Sequence, residues 1–111
     1  MEIVELVRRY YDKRQLKWPT FDEAMKFVHT EIAEVYELDL SRIGGFVRNH
    51  PENKSQFSKD ALAEELGDAI FMLLVAGYSE GVDPLDAMQK KMKDRLERLS
   101  MHELGFDSEV E

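Results

Sequence analysis

Apolar residues recur at three- and four-residue spacing along nearly the whole chain, and strand-like alternation is nowhere sustained. A first segment, from Glu2 to about Leu16, sets Ile3, Leu6, Val7, Tyr10 and Tyr11 on one stripe. It stops before Trp18-Pro19, because a proline pushes the residue before it out of helical conformation. Thr20 with Glu23 three residues later forms a capping box, which predicts a second helix from Phe21 to about Leu40. Its inward positions are Ala24, Phe27, Val28, Ile32, Val35 and Leu38, and Ile43-Gly44-Gly45 ends it. The stretch from Gly44 to Phe57 is rich in Gly, Asn, Pro and Ser without a clear period, and it is predicted to be a surface loop of a length that is usually functional or disordered. Ser58 is a suitable N-cap for a third helix reaching about Glu80, and Gly81 ends it. Asp83-Pro84 then restarts a helix, with Asp as N-cap and Pro at the first position. This fourth segment, Pro84 to about Ser100, carries Leu85, Met88, Met92, Leu96 and Leu99.

Four helices, short connections and one longer loop predict an all-α fold resembling a four-helix bundle. One domain is expected over residues 1–101, followed by an acidic, loosely held tail at 102–111. Between Ala69 and Gly77 the third segment is apolar around most of its circumference, which calls for cover on every side. A homodimer or homotetramer would supply that cover; a central place in the core of a single chain is the alternative.

Composition narrows the function classes. The 111 residues suit a single domain, and the 43% apolar fraction is ordinary for a globular one. No cysteine is present, which removes disulfides and thiolate metal sites. The longest apolar run, Ala69 to Ala76, is far short of the ~20 residues that span a bilayer. The N-terminal stretch MEIVELVRRYYDK lacks the apolar core of a signal peptide, so the expectation is a cytoplasmic protein without a membrane partner. A formal net charge of −8 argues against polymeric nucleic acid, whose sequence-independent affinity rests on Lys and Arg. A small phosphorylated ligand is still compatible if metal ions supply the positive charge.

Two acidic pairs carry the candidate chemistry. Glu31 and Glu34 lie in HTEIAEVYE, and Glu65 and Asp68 lie in AEELGDAIF. Residues three apart share a helix face, so each pair aims two carboxylates the same way. ExxE is common on solvated helices, and the first pair alone would mean little. The second pair is different. Asp68 is a poor helix former set mid-helix beside Leu66 and Ala69, and Gly67 costs about 1 kcal/mol relative to Ala at such a position. A mid-helix glycine usually admits another backbone or a ligand. Four converging carboxylates suit a hard cation, Mg²⁺ or Mn²⁺, which also takes phosphate oxygens. A di-iron bundle needs Glu-x-x-His pairs, and none precedes His29, His50 or His102. On the fourth segment Lys91, Arg95 and Arg98 share one face; they either complement the helix dipole or reach a phosphate. Trp18 is either a core or interface anchor or a platform for a base.

The stretches TEIAEVYE, AEELGDAIFMLL and GVDPLDAMQKKMKDRLER, in that order, resemble the MazG-like nucleotide pyrophosphohydrolases of the all-α NTP pyrophosphatase superfamily. The resemblance spans roughly Trp18 to Arg98. It implies that Glu31, Glu34, Glu65 and Asp68 are Mg²⁺ ligands and the catalytic set, with Glu64 matching an extra acid. It also implies that Lys91 and Arg98 bind a triphosphate, and that Trp18 stands where some relatives place an aromatic against the base. Thr30 occupies the place of the first Glu in the family's EExxE. The implied reaction is hydrolysis of a nucleoside triphosphate between the α and β phosphates to give NMP and pyrophosphate, as in house-cleaning of non-standard nucleotides. Related substrates would be phosphoribosyl-ATP or dUTP. No Walker-type loop or covalent nucleophile competes with direct attack by water. The rival reading is a non-catalytic helical oligomerisation or binding module whose acids are solvated or degenerate.

Overall fold

The computed structural model describes residues 1–43 and 57–103. It is all-helical there: α1 (Ile3–Lys13), α2 (Phe21–Leu40), a short 3-10 turn (Ser41–Ile43), α3 (Lys59–Ser79) and α4 (Pro84–Glu103). The Gly44–Gln56 part of the expected loop, with His50, lies outside the described residues, as do residues 104–111 of the expected tail.

Helix ends follow the local chemistry of the sequence. The Thr20 hydroxyl accepts from the Glu23 amide at 3.2 Å while the Glu23 carboxylate accepts from the Thr20 amide at 3.0 Å, closing the capping box. Ser58 accepts from the Ala61 amide at 3.0 Å and starts α3. The other end of α3 closes as a Schellman turn: Val82 N–H donates to the Gly77 carbonyl at 3.0 Å and Gly81 N–H to that of Tyr78 at 3.1 Å. Gly81 takes the left-handed conformation this needs, with φ +73°. Asp83 Oδ1 then accepts from the amides of Leu85 and Asp86, and Pro84 leads α4. A Cβ on Gly77 would collide with the ring of Pro84, so this glycine is what lets α4 begin so close to α3.

The centre of the fold is the α2–α3 hairpin. Ala24 and Val28 cluster with Met72, Val75 and Ala76, whereas Glu31, further along α2, meets Glu65 and Asp68, earlier along α3; the pair is therefore antiparallel. From α1, Val7 and Tyr11 complete the core, with Trp18, Met25, Phe71 and Tyr78 packed at its edge. A fully buried Leu38 or Val75 is each worth roughly 1.5–3 kcal/mol in transfer free energy.

The four helices do not close into a bundle within one chain. Among the described residues, the backbones of α1 and α4 each come close to α3 and to no other helix. Several expected inward positions are consequently exposed: Ile3, Leu6 and Tyr10 on α1, Phe27 and Ile32 on α2, and Met88, Met92, Leu96 and Leu99 on α4. The reason is geometric. A stripe is buried only where another element covers it, and α2 is covered on one side alone. On α3, Leu66, Ile70 and Leu73 form an exposed stripe at i, i+4 and i+7, so the helix that is apolar all round is only partly covered by its own chain.

Candidate metal centre

The hairpin seam reads as a regular alternation of three and four residues. On α2 it runs Ala24, Val28, Glu31, Val35, Leu38, and on α3 it runs Leu62, Glu65, Ala69, Met72, Ala76. Each row is apolar except for one glutamate, and the two glutamates face each other. Such positions in an antiparallel pair normally take apolar side chains. Acids there lose much of their water, and that must be offset.

Asp68, three residues after Glu65 and therefore on an adjoining face, completes the group. One carboxylate oxygen from each of Glu31, Glu65 and Asp68 lies within 4.8 Å of the others; the two glutamates are half-buried and Asp68 is exposed. Glu31 Oε2 is shut off from solvent and accepts no hydrogen bond, and one oxygen of Glu65 is likewise closed off from water. Burial pushes the Glu31 carboxyl above its usual range; a hydrogen bond from Glu34 pulls it back, and the charges of Asp68 and Glu65 push it further up. At this separation two carboxylates repel by roughly 3 kcal/mol at an effective dielectric of about 20, and less where Asp68 faces water. A divalent cation coordinated by these oxygens would replace the mutual repulsion with attraction and offset the cost of burial. The donor set fits a hard ion that retains water, because three carboxylates leave coordination positions open.

Of the four acids singled out in the sequence, three therefore converge, and the fourth, Glu34, stands behind them as the hydrogen-bond partner of Glu31. Thr30 is exposed and donates its hydroxyl to the Lys26 carbonyl at 3.3 Å, so it is tied to its own helix. Glu64 and His29 are exposed. Glu37, a turn beyond Glu34, also has an oxygen closed off from solvent; sequence reasoning passed over it, although it extends the same ExxExxE row. The seam pattern was the available signal for ranking Glu31 and Glu65 above the other acids.

The basic residues are placed differently. Lys91, Arg95 and Arg98 ride on α4, which meets α3 but not α2, and the Arg98 guanidinium pairs with Asp94 at 3.2 Å. Trp18 packs against Tyr11, with ring centroids 4.6 Å apart, at the edge of the core.

Beside the triad an open groove of about 510 Å³ runs between α1 and α3. Ile3, Leu6, Val7 and Tyr10 form one wall, and Gly67, Asp68 and Phe71 form the other. Asp68 belongs to both groove and triad. A Cβ on Gly67 would meet no atom of the described residues within 4 Å, so none of them makes the close backbone approach that a mid-helix glycine suggested. Among the described residues no helix is long and apolar enough to cross a membrane. No family model, curated protein or solved structure compared with the chain matches it.

Proposed function

We propose that this protein is a Mg²⁺-dependent nucleoside triphosphate pyrophosphohydrolase of the MazG-like kind, with Mn²⁺ as a substitute, releasing NMP and pyrophosphate. The observation that carries the reading is the convergence of Glu31, Glu65 and Asp68, two of them half-buried at seam positions that ordinarily take apolar side chains. The bound cations would neutralise the phosphates and lower the pKa of an attacking water. Glu31, Glu65 and Asp68 would hold them, and Glu31 or Glu34, once ionised beside the cations, would accept a proton from the water. Lys91, Arg95 and Arg98 lie on a helix that does not meet α2, so their contribution to triphosphate binding requires a second copy of the chain or a movement of α4.

The same reading assigns the exposed stripes of α3 and α4 to a homodimer or homotetramer that completes the bundle, in a cytoplasmic setting. Leu66, Ile70 and Leu73 on α3 and Met88, Met92, Leu96 and Leu99 on α4 are exposed apolar rows at helical spacing that such an assembly would cover.

Pyrophosphate release from a panel of canonical and non-standard nucleotides, with Mg²⁺ or Mn²⁺, tests the activity. Asp68→Asn and Glu65→Gln should each lower kcat at least 100-fold. Wild-type silence across the panel would favour the binding module, and activity that survives both substitutions would remove the triad from the chemistry. A monomer at micromolar concentration in light scattering would reject the assembly.

A further inference from the structure

Among the described residues nothing packs against Gly67 in a way that explains it. It stands in the middle of α3, where glycine is the second-worst helix former, and no side chain or backbone crowds the place of its missing Cβ. The second glycine of α3, Gly77, shows what an internal reason looks like, since Pro84 fills the space beside it. What Gly67 does border is the α1–α3 groove, directly next to Asp68. The groove walls there are aromatic and aliphatic: the rings of Tyr10 and Phe71 meet edge-to-face at 5.7 Å. The Tyr10 hydroxyl already accepts from Arg14 at 3.0 Å. Among the described residues, Asp68 is thus the one charged group lining the groove, and it is also a member of the triad.

We infer that this groove receives the base and sugar of the substrate whose phosphates are held at the triad, and that Gly67 is a specificity-determining residue that sets how bulky a base fits. This rests on the pyrophosphohydrolase reading above. A flat, uncharged ring is the chemistry that matches an apolar groove with aromatic walls, and the volume lies within the usual range of small-molecule sites. Continuity through Asp68 favours this occupant over a second copy of the chain, because a molecule bound at the triad by its phosphates places the rest of itself at the mouth of the groove. Tyr10 and Phe71 come from different helices, so α1, which contributes no acid to the triad, is given a part in recognition.

The test uses the full chain with Mn²⁺ and non-hydrolysable α,β-methylene nucleoside triphosphates of the four common bases, with inorganic triphosphate as the probe that lacks a base. Calorimetric titration of the wild type should show at least one nucleotide binding tenfold or more tighter than inorganic triphosphate. Gly67→Leu, which projects a side chain into the groove, should weaken that nucleotide at least tenfold and leave inorganic triphosphate within twofold. Gly67→Ala serves as the folding control and should raise Tm by about 4 °C, as expected for replacing a mid-helix glycine. It should also weaken the larger purine nucleotides more than the pyrimidines. Unchanged nucleotide binding by Gly67→Leu, or equal weakening of both probes, would overturn the groove assignment while leaving the triad in place. A change of oligomer mass in Gly67→Leu with nucleotide affinity retained would make a second copy the occupant, and would overturn it equally. If the wild type binds neither probe in the presence of Mn²⁺, the metal-phosphate reading falls and this inference falls with it.

Discussion

The two halves of α3 belong to the same helix yet answer to different demands. From Met72 to Gly77 nearly every residue is buried against α1, α2 or the start of α4, and even its glycine is accounted for by a contact. From Glu64 to Ile70 the helix keeps an acid in the seam, a second acid on its flank, an uncrowded glycine and an exposed stripe including Leu66 and Ile70. The first half obeys close packing. The second repeatedly departs from what stability alone would choose, in the manner of sites where function competes with folding.

Substitutions at neighbouring positions sharpen that contrast. Leu74 is 5% exposed and Leu73 is 44% exposed. Leu74→Ala should cost about 2–5 kcal/mol in urea unfolding, whereas Leu73→Ala should cost no more than about 0.5 kcal/mol in a monomeric chain. A comparable loss at Leu73 would show that its side chain is covered by a partner, and would move the boundary between the halves.

The acidic half should respond to metal and the packed half should not. Mg²⁺ or Mn²⁺ at about one hundred times its Kd should add about 2.7 kcal/mol to stability. Asp68→Asn or Glu65→Gln should abolish most of that gain, measured as the Tm difference with and without metal. No metal-dependent shift in the wild type would leave the acids of the half from Glu64 to Ile70 unexplained.

At the other end of the helix Gly77→Ala should destabilise by about 1–3 kcal/mol, because the added methyl meets the ring of Pro84 while Asp83 holds that turn in place. Gly67→Ala should shift stability in the opposite direction. Two glycines of one helix would thus give changes of opposite sign, and equal signs would erase the distinction drawn between them.

The smallest effect concerns pH. Burial raises the Glu31 carboxyl, so the metal-free folded state keeps a proton that the unfolded chain releases. Stability from this group is full below the ordinary glutamate range and declines as pH rises through the elevated value. Glu31→Gln should flatten that decline in Tm measured with chelator present, and saturating Mg²⁺ should flatten it in the wild type. A wild-type Tm that rises over the same window would contradict the assignment.

Much of this architecture was legible in the chain. The Thr20–Glu23 box, Ser58, Gly81 and Asp83-Pro84 each predicted a helix boundary that the structure places within a few residues. They succeed because capping is local chemistry, settled by a side chain and amides two or three residues away. The stripes were read less well. Phe27, Ile32 and most of the apolar positions of α4 share the helical period, but period alone does not tell which stripe meets a partner. The helix of α4 also continues to Glu103, beyond the Ser100 that the pattern suggested, while α1 stops at Lys13, short of Leu16.

By itself, then, the sequence determined the four helices, the boundaries set by caps, the absence of thiol chemistry and the two acidic pairs as candidates for a divalent cation. Only the tertiary structure decided that Glu31, Glu65 and Asp68 meet while Glu34 stands behind, that α4 keeps its basic residues away from α2, and that a groove opens beside Gly67. The physical reason is range. Caps and periodicity depend on neighbours along the chain, whereas convergence of carboxylates depends on how two helices pair in register, and that register is set by the burial of Ala24, Val28, Met72 and Val75 some distance from the acids.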